Sequence, residues 1–208
     1  RRLIHNKSKV TIIDNLSTGS LFNISKQATF IVGDASDELT INKLKHQQFD
    51  AIIHLAGQSS GEVSFDDPVY DLNCNAASTL RLLDYAVKTN CKRFIYASSM
   101  SIYGENPNQE KYNELAEVNP KSFYAVGKLT SEKYMKIYHE QYGINFTALR
   151  YFNVYGPGQN LQNLRQGMVS IYLKQFIDDL YDVVEVKGSI NRFRDLIYID
   201  DVVNITLE

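Results

Sequence analysis

The 208-residue sequence predicts an α/β protein built on a doubly wound parallel sheet. Short β-branched runs alternate with longer stretches of helical periodicity. The runs are almost continuously apolar rather than alternating, as expected of strands covered by helices on both faces. Several end in polar residues, at the carboxyl edge where such sheets bind ligands.

"RRLIHNK" reads as the tail of a helix running into the first visible strand, "KVTIID" (9–14). "ATFIVGD" (28–34), "AIIHLAG" (51–57), "RFIYASS" (93–99) and "NFTALRYFNV" (145–154) supply four more strands. Between them Leu72, Ala76, Leu80, Leu83 and Val87 recur at helical spacing and predict a core-facing stripe. "SFYAVGKLTSEKY" (122–134) predicts another helix, with Val126, Leu129 and Ile137 on its apolar arc. After Gly156-Pro157-Gly158 the rhythm changes to a helix around 167–180, then "VVEVKG" and "FRDLIYIDD", where Asp200 or Asp201 is placed to N-cap a final helix. The expected division is a main domain over 1–158 and part of a smaller lobe over 159–208. With no initiator Met and an apolar helix face only begun at the end, the chain reads as an internal fragment.

A composition of 44% hydrophobic and 22% charged residues is that of an ordinary globular protein. A net charge of -2 without a basic run argues against nucleic acid, and no apolar stretch approaches a membrane span. The expected partner is small. Cys74 and Cys91 form neither a metal spacing nor a disulfide framework, so both are read as reduced and the compartment as cytoplasmic. His5, His46 and His139 lack metal-ligand spacing, and no G-x-S-x-G elbow is present.

Candidate chemistry gathers at the strand ends. Asp14 can accept both hydroxyls of an adenosine ribose and repel a 2'-phosphate, favouring NAD over NADP; equally, Asp14-Asn15 can simply start the turn "DNLSTG". Asp34 can approach an adenine edge or close a turn. His54 reads as a hydrogen-bonded core residue, followed by an Ala56-Gly57 step that admits close backbone approach. Tyr124 and Lys128 lie about 40° apart on a helix, away from the arc of Val126, Leu129 and Ile137. An ammonium there would draw the phenol down towards a working range. Gly127, costing about 1 kcal/mol against Ala in a helix interior, makes sense where something must approach that face. Tyr-x-x-x-Lys alone is common by chance; with Ser98 and Ser99 at a strand end and Asp14 upstream it reads as a site.

"TIIDNLSTG", "GDASD", "HLAGQSS", "NCNAASTLRLLDYA", "RFIYASSMSIYG", "YAVGK", "LRYFNVYGPGQ" and "FRDLIYIDDV", in that order, resemble the extended short-chain dehydrogenase/reductases, specifically their nucleotide-sugar epimerase/dehydratase branch. The likeness covers essentially the whole chain and implies a Rossmann-like fold, NAD as cofactor, a nucleotide-sugar substrate, most simply UDP-linked, and a homodimer. It implies Tyr124 as catalytic base and acid, Lys128 on the nicotinamide ribose, and Ser99 on the sugar oxygen. Asp14, Asn15, Asp34, Ala35, Leu55, Ala56, Gly57, Asn75 and Tyr151 would line the cofactor groove, and Asn153 and Arg194 would hold the substrate diphosphate. The family's G-x-x-G-x-x-G phosphate loop is not in this sequence, and Gln58, Ser59 and Ser60 stand where some 4-epimerases carry a lysine. The implied activity is 4-epimerisation through a keto-sugar. The alternatives are a 4,6-dehydratase, decarboxylase or reductase of the same family, or a non-catalytic NAD sensor.

Overall fold

The computed structural model describes residues 1–105, 111–178, 183–186, 191 and 194–208. Parts of the predicted 167–180 helix and of "VVEVKG" and "FRDLIYIDD" lie outside them. The chain separates into two compact units, Arg1–Leu149 and Arg150–Glu208.

In the first unit a short helix α1 (Arg2–His5) leads into β1 (Thr11–Asp14), which pairs in parallel with β2 (Thr29–Val32), Thr11 opposite Thr29 and Asp14 opposite Val32. α2 (Glu38–Asn42) follows, N-capped by the Asp37 carboxylate on Leu39 N. β3 (Ala51–His54) pairs in parallel with β4 (Arg93–Ser99), and β5 (Asn145–Tyr151), whose first five residues belong to this unit, adjoins β4. The strands predicted from sequence are thus present, except that the last, 145–154, is divided into β5 and a separate strand over Asn153–Tyr155 that joins another ladder. Among the described residues they form two ladders, β1-β2 and β3-β4-β5, rather than one sheet. β1 and β3 are accordingly less buried than central strands of a covered parallel sheet.

α3 (Pro68–Leu72) begins with Asp67 accepting from Tyr70 N and Pro68 in the first turn, where its missing N–H is no loss. A π-helical turn over Asn73–Ala77 joins it to α4 (Ser78–Lys88). α5 (Phe123–Tyr142) starts at Ser122, whose hydroxyl accepts from Ala125 N, and stops at Gly143, whose φ of 68° is the left-handed conformation of a helix-ending glycine. Leu83, Ala86, Phe94, Tyr96, Met135 and Ile144 form the centre of the core between α4, β4 and α5. In the second unit β6 (Asn153–Tyr155) pairs in parallel with β7 (Leu196–Tyr198), accompanied by α6 (Met168–Ile177) and α7 (Ile199–Leu207). Tyr198 occupies the N-cap of α7. Asp200 and Asp201 fall inside its first turn and face the positive end of the helix without capping it.

Candidate active site

The predicted apolar stripe fails at its first member. Ala76 and Leu83 are buried, whereas Leu72 is 54% exposed. The π turn is the reason: closing i to i+5 takes up an extra residue, so the segment before it is rotated relative to α4. The rotation turns Leu72 outward and buries Asp71 and Asn75, which are 1% and 0% exposed.

α5 packs against this segment with the face opposite to the one the sequence suggests. Val126 and Ile137 of the expected apolar arc are exposed, and Leu129 is half-buried, while Tyr124, Gly127, Lys128, Ser131 and Met135 are buried. Gly127 permits the approach: a Cβ there would stand 3.2 Å from Asn75 Cβ and 3.5 Å from Asp71 Oδ2. The close neighbour anticipated from the glycine is therefore the protein's own α3 segment.

Lys128 is 3% exposed; its Nζ donates to Ala97 O at 2.9 Å and lies 4.8 Å from the centroid of the Tyr96 ring and 5.6 Å from that of Tyr124. Burial pulls the ammonium down to about 8, against the opposing pull of Asp71. The Tyr124 phenol is raised by its own burial, lowered by interaction with the Ser99 hydroxyl and raised again by the Asp71 charge, and the balance lies above the usual range. This corrects the expectation that Lys128 brings the phenol down. In this structure the ammonium is directed at Ala97 O and a ring face, and desolvation is the larger effect.

Ser99 ends β4 and starts the 3-10 turn Met100–Tyr103, its Oγ accepting from Ser101 N at 3.2 Å and lying 2.9 Å from Ser101 Oγ. The neighbouring Ser98 is committed elsewhere, donating to Glu132 Oε1 at 2.5 Å. His54 is the core residue the sequence suggests: Nε2 lies 3.2 Å from Ser78 Oγ, the ring packs on Phe94 and Tyr96, and burial lowers it to about 3.

At the ends of β1 and β2 the carboxylates close the turns that the sequence suggests. Asp14 Oδ1 accepts from Leu16 N at 2.7 Å, and a Cβ on Gly19 would sit 3.0 Å from the same oxygen. Asn15 Nδ2 donates to Asp34 Oδ2 at 3.0 Å, and Ser36 N and Oγ donate to Asp34 Oδ1 at 2.8 and 2.6 Å. Burial raises Asp34, but these hydrogen bonds outweigh it and hold the carboxyl below its ordinary range. Ala35 belongs to the hydrophobic core rather than to an open surface. Leu55, Ala56 and Gly57, just past β3, are exposed.

Tyr151, Asn153 and Arg194 lie in the second unit. Tyr151 Oη is 2.6 Å from Thr206 Oγ1, and Asn153 Nδ2 donates to Asp195 O at 2.9 Å. Among the described residues no group of His, Cys, Asp and Glu could hold a metal, Cys74 and Cys91 are free thiols, and no helix is long and apolar enough to cross a membrane.

Sequence reasoning missed Asp71 and gave Gln58 no partner. Gln58 Nε2 donates to Asp71 Oδ1 at 2.8 Å and to Ser60 O at 2.7 Å; Asn75 Nδ2 donates to Asp71 Oδ1 at 3.2 Å and to Gln58 O at 3.1 Å. The i, i+4 spacing of Asp71 and Asn75 was the available signal.

Asn75 Oδ1 is buried with no hydrogen-bond partner. A Cβ on Gly57, where φ is 152°, would meet that oxygen at 2.5 Å and Lys128 Nζ at 3.4 Å. An unanswered acceptor, an ammonium and an open glycine backbone thus converge at the carboxyl end of β3, a donor and acceptor set that suits the hydroxyls of a cofactor ribose.

The model of the NAD dependent epimerase/dehydratase family matches residues 1–208. The chain belongs to that family. A putative UDP-glucose 4-epimerase of Methanocaldococcus jannaschii is 34% identical over 207 residues, 99% of this chain and 67% of that protein. The UDP-glucose 4-epimerase of Thermotoga maritima, solved with UDP-glucose, superimposes with a TM-score of 0.92 at 32% identity, covering 99% of this chain and 66% of that one. The Thermus thermophilus UDP-glucose 4-epimerase in complex with NAD gives 0.86 at 30% identity, covering 98% and 67%. The chain therefore spans about two thirds of the length of these family members. Their likeness shows the Rossmann-like arrangement of parallel strands and helices.

Proposed function

We propose that the protein to which this chain belongs is an NAD-dependent nucleotide-sugar 4-epimerase acting on a UDP-hexose. The observation that carries this reading is the pairing of Ser99 and Tyr124 beside buried Lys128, with no proton-transferring carboxylate following Ser99. Bound NAD supplies a hydride acceptor that can return the hydride. Asp14 and Asp34 would hold its adenosine half, and Lys128, Gly57 and Asn75 Oδ1 its nicotinamide ribose. Tyr124 takes the proton of the C4 hydroxyl and later returns it, while Ser99 hydrogen-bonds the same oxygen. The charge of an oxidised nicotinamide would favour the phenolate, offsetting the burial that holds the phenol protonated in the free chain.

A 4,6-dehydratase must also protonate a leaving hydroxyl at C6 and remove the C5 proton. Met100 and Ser101 stand where the resemblance places an Asp-Glu pair in dehydratases. A thioether moves no proton at neutral pH, and the Ser101 hydroxyl donates at 2.9 Å to Ser99 Oγ, another hydroxyl and too weak a base to activate it. Incubation of the full-length protein with a panel of UDP-hexoses should invert a ring carbinol without net NADH, and Tyr124→Phe should abolish turnover while NAD stays bound. A 4-keto-6-deoxy sugar in the product mass spectrum would replace this reading by the dehydratase one. Asn153 and Arg194 are proposed to hold the nucleotide diphosphate, for which a guanidinium offers paired charge-assisted bonds.

A further inference from the structure

We propose that Asp71 is a positioning residue of this site, fixing the amides of Asn75 and Gln58 and supplying the buried counter-charge to the Lys128 ammonium. This rests on the reading above that Tyr124 transfers the proton. Asp71 Oδ1 receives both Gln58 Nε2 and Asn75 Nδ2. An ionised carboxylate only accepts, and so does Gln58 O, the second partner of Asn75 Nδ2. With two acceptors on one side, the Asn75 amide can lie only one way round, and its Oδ1 is driven to the Gly57–Lys128 side where it has no partner. Gln58 is fixed likewise: Nε2 is held by Asp71 and Ser60 O, leaving its Oε1 to accept from Ser60 N. One carboxylate thereby orients two amides and the loop that follows β3.

The same carboxylate acts on both working groups through space. It raises Lys128 against the downward pull of burial, and it raises Tyr124. The other titratable groups facing the pair carry little charge near neutrality. His54 on β3 is held neutral, and Tyr96 on β4 is pushed far above its ordinary range by burial. Cys74 in the π turn, raised by burial and by the charges of Asp34 and Asp71, stays a thiol. Glu132 on α5 bonds Ser98 and acts on Tyr96 rather than on the pair. Asp71 is therefore, among the described groups, the charge that acts on both, holding a proton more firmly on Lys128 and on Tyr124.

Asp71→Asn in the full-length protein is the test, because its Oδ1 can still accept from both amides while the charge is gone. Both limbs of its kcat profile should move to lower pH, with NAD still bound. Asp71→Glu, which keeps the charge one methylene displaced, should lower kcat with the limbs in place. A direct readout needs no turnover: the phenolate absorbance titration of the protein minus that of Tyr124→Phe isolates Tyr124, and in the Asp71→Asn background this curve should move to lower pH. Superimposable titrations with and without the Asp71 charge would overturn the proposal even in an active enzyme. A shifted titration in a protein that epimerises nothing would uphold it and fail the reading of function instead. Should Asp71→Asn not fold, an Asp71→Glu protein with unaltered kcat would overturn the proposal on its own.

Discussion

Lys128 shows how a single buried side chain can work against the stability of its own fold. Its folded-state value of about 8 lies below the 10.5 of a free lysine. A base with a depressed folded value contributes most above its unfolded value, and that contribution is lost as pH falls through the folded one. Below about 8 the protein must hold an ammonium in its interior, with Ala97 O as its hydrogen-bonding partner and two ring faces. Lys128→Met, which keeps the stem, should lose turnover and the pH dependence that the buried amine gives to stability. The parent should gain on the variant as pH rises from about 8 towards 10.5. Urea unfolding of both proteins across that range checks the sign; a parent that gains on the variant towards lower pH would contradict it. The residue identities at this site were legible in the sequence, because Tyr124, Lys128, Ser99 and Gly57 sit in short local patterns. Their electrostatics were not, since Asp71 lies 57 residues before Lys128 along the chain and acts only once α3 meets α5.

The helices carry the clearest departures from the sequence reading. Counting every third or fourth residue places Leu72 in the core and leaves Tyr124 and Lys128 outside it; both inferences assume uniform α-helix and a buried apolar face. The π turn breaks the first assumption, and on α5 the buried face is the one bearing Tyr124, Gly127, Lys128 and Ser131. The strands were easier to read, because short apolar runs between turn residues do not depend on phase. Gly127 is where this packing can be tested. In an exposed helix Gly→Ala gains about 1 kcal/mol. Here the added methyl would press on Asn75 Cβ at 3.2 Å, a side chain fixed by two acceptors, so Gly127→Ala should fail to gain that stability and should lower kcat. Thermal melting with steady-state kinetics reads both, and a more stable, fully active variant would show that the helices can part at no cost.

At the scale of the whole molecule, burial of the working face of α5 leaves an apolar surface uncovered. Val126, Ile137, Phe65 and Leu72 are more than half exposed or nearly so, and Phe123 pairs edge-on with Phe65 at 5.4 Å. A second copy of the protein is the proposed cover, in keeping with the homodimer the resemblance implies, since contiguous exposed apolar patches commonly mark association sites. Val126→Glu should shift the full-length protein from dimer to monomer in sedimentation velocity. An unchanged sedimentation coefficient would place the interface elsewhere.

The π turn has a consequence for how such a chain can change over generations. A π turn carries one residue more than an α-helix of the same span, so deleting one residue of Asn73–Ala77 would remove the wide turn and the extra residue together and leave Asp71 and Leu72 on the sides they now occupy. Deleting a residue from α4 instead would keep the turn and rotate the segment before it by about 100°, carrying Asp71 away from α5. The irregular turn, rather than the regular helix beside it, is thus where such a chain can change its length and keep its chemistry.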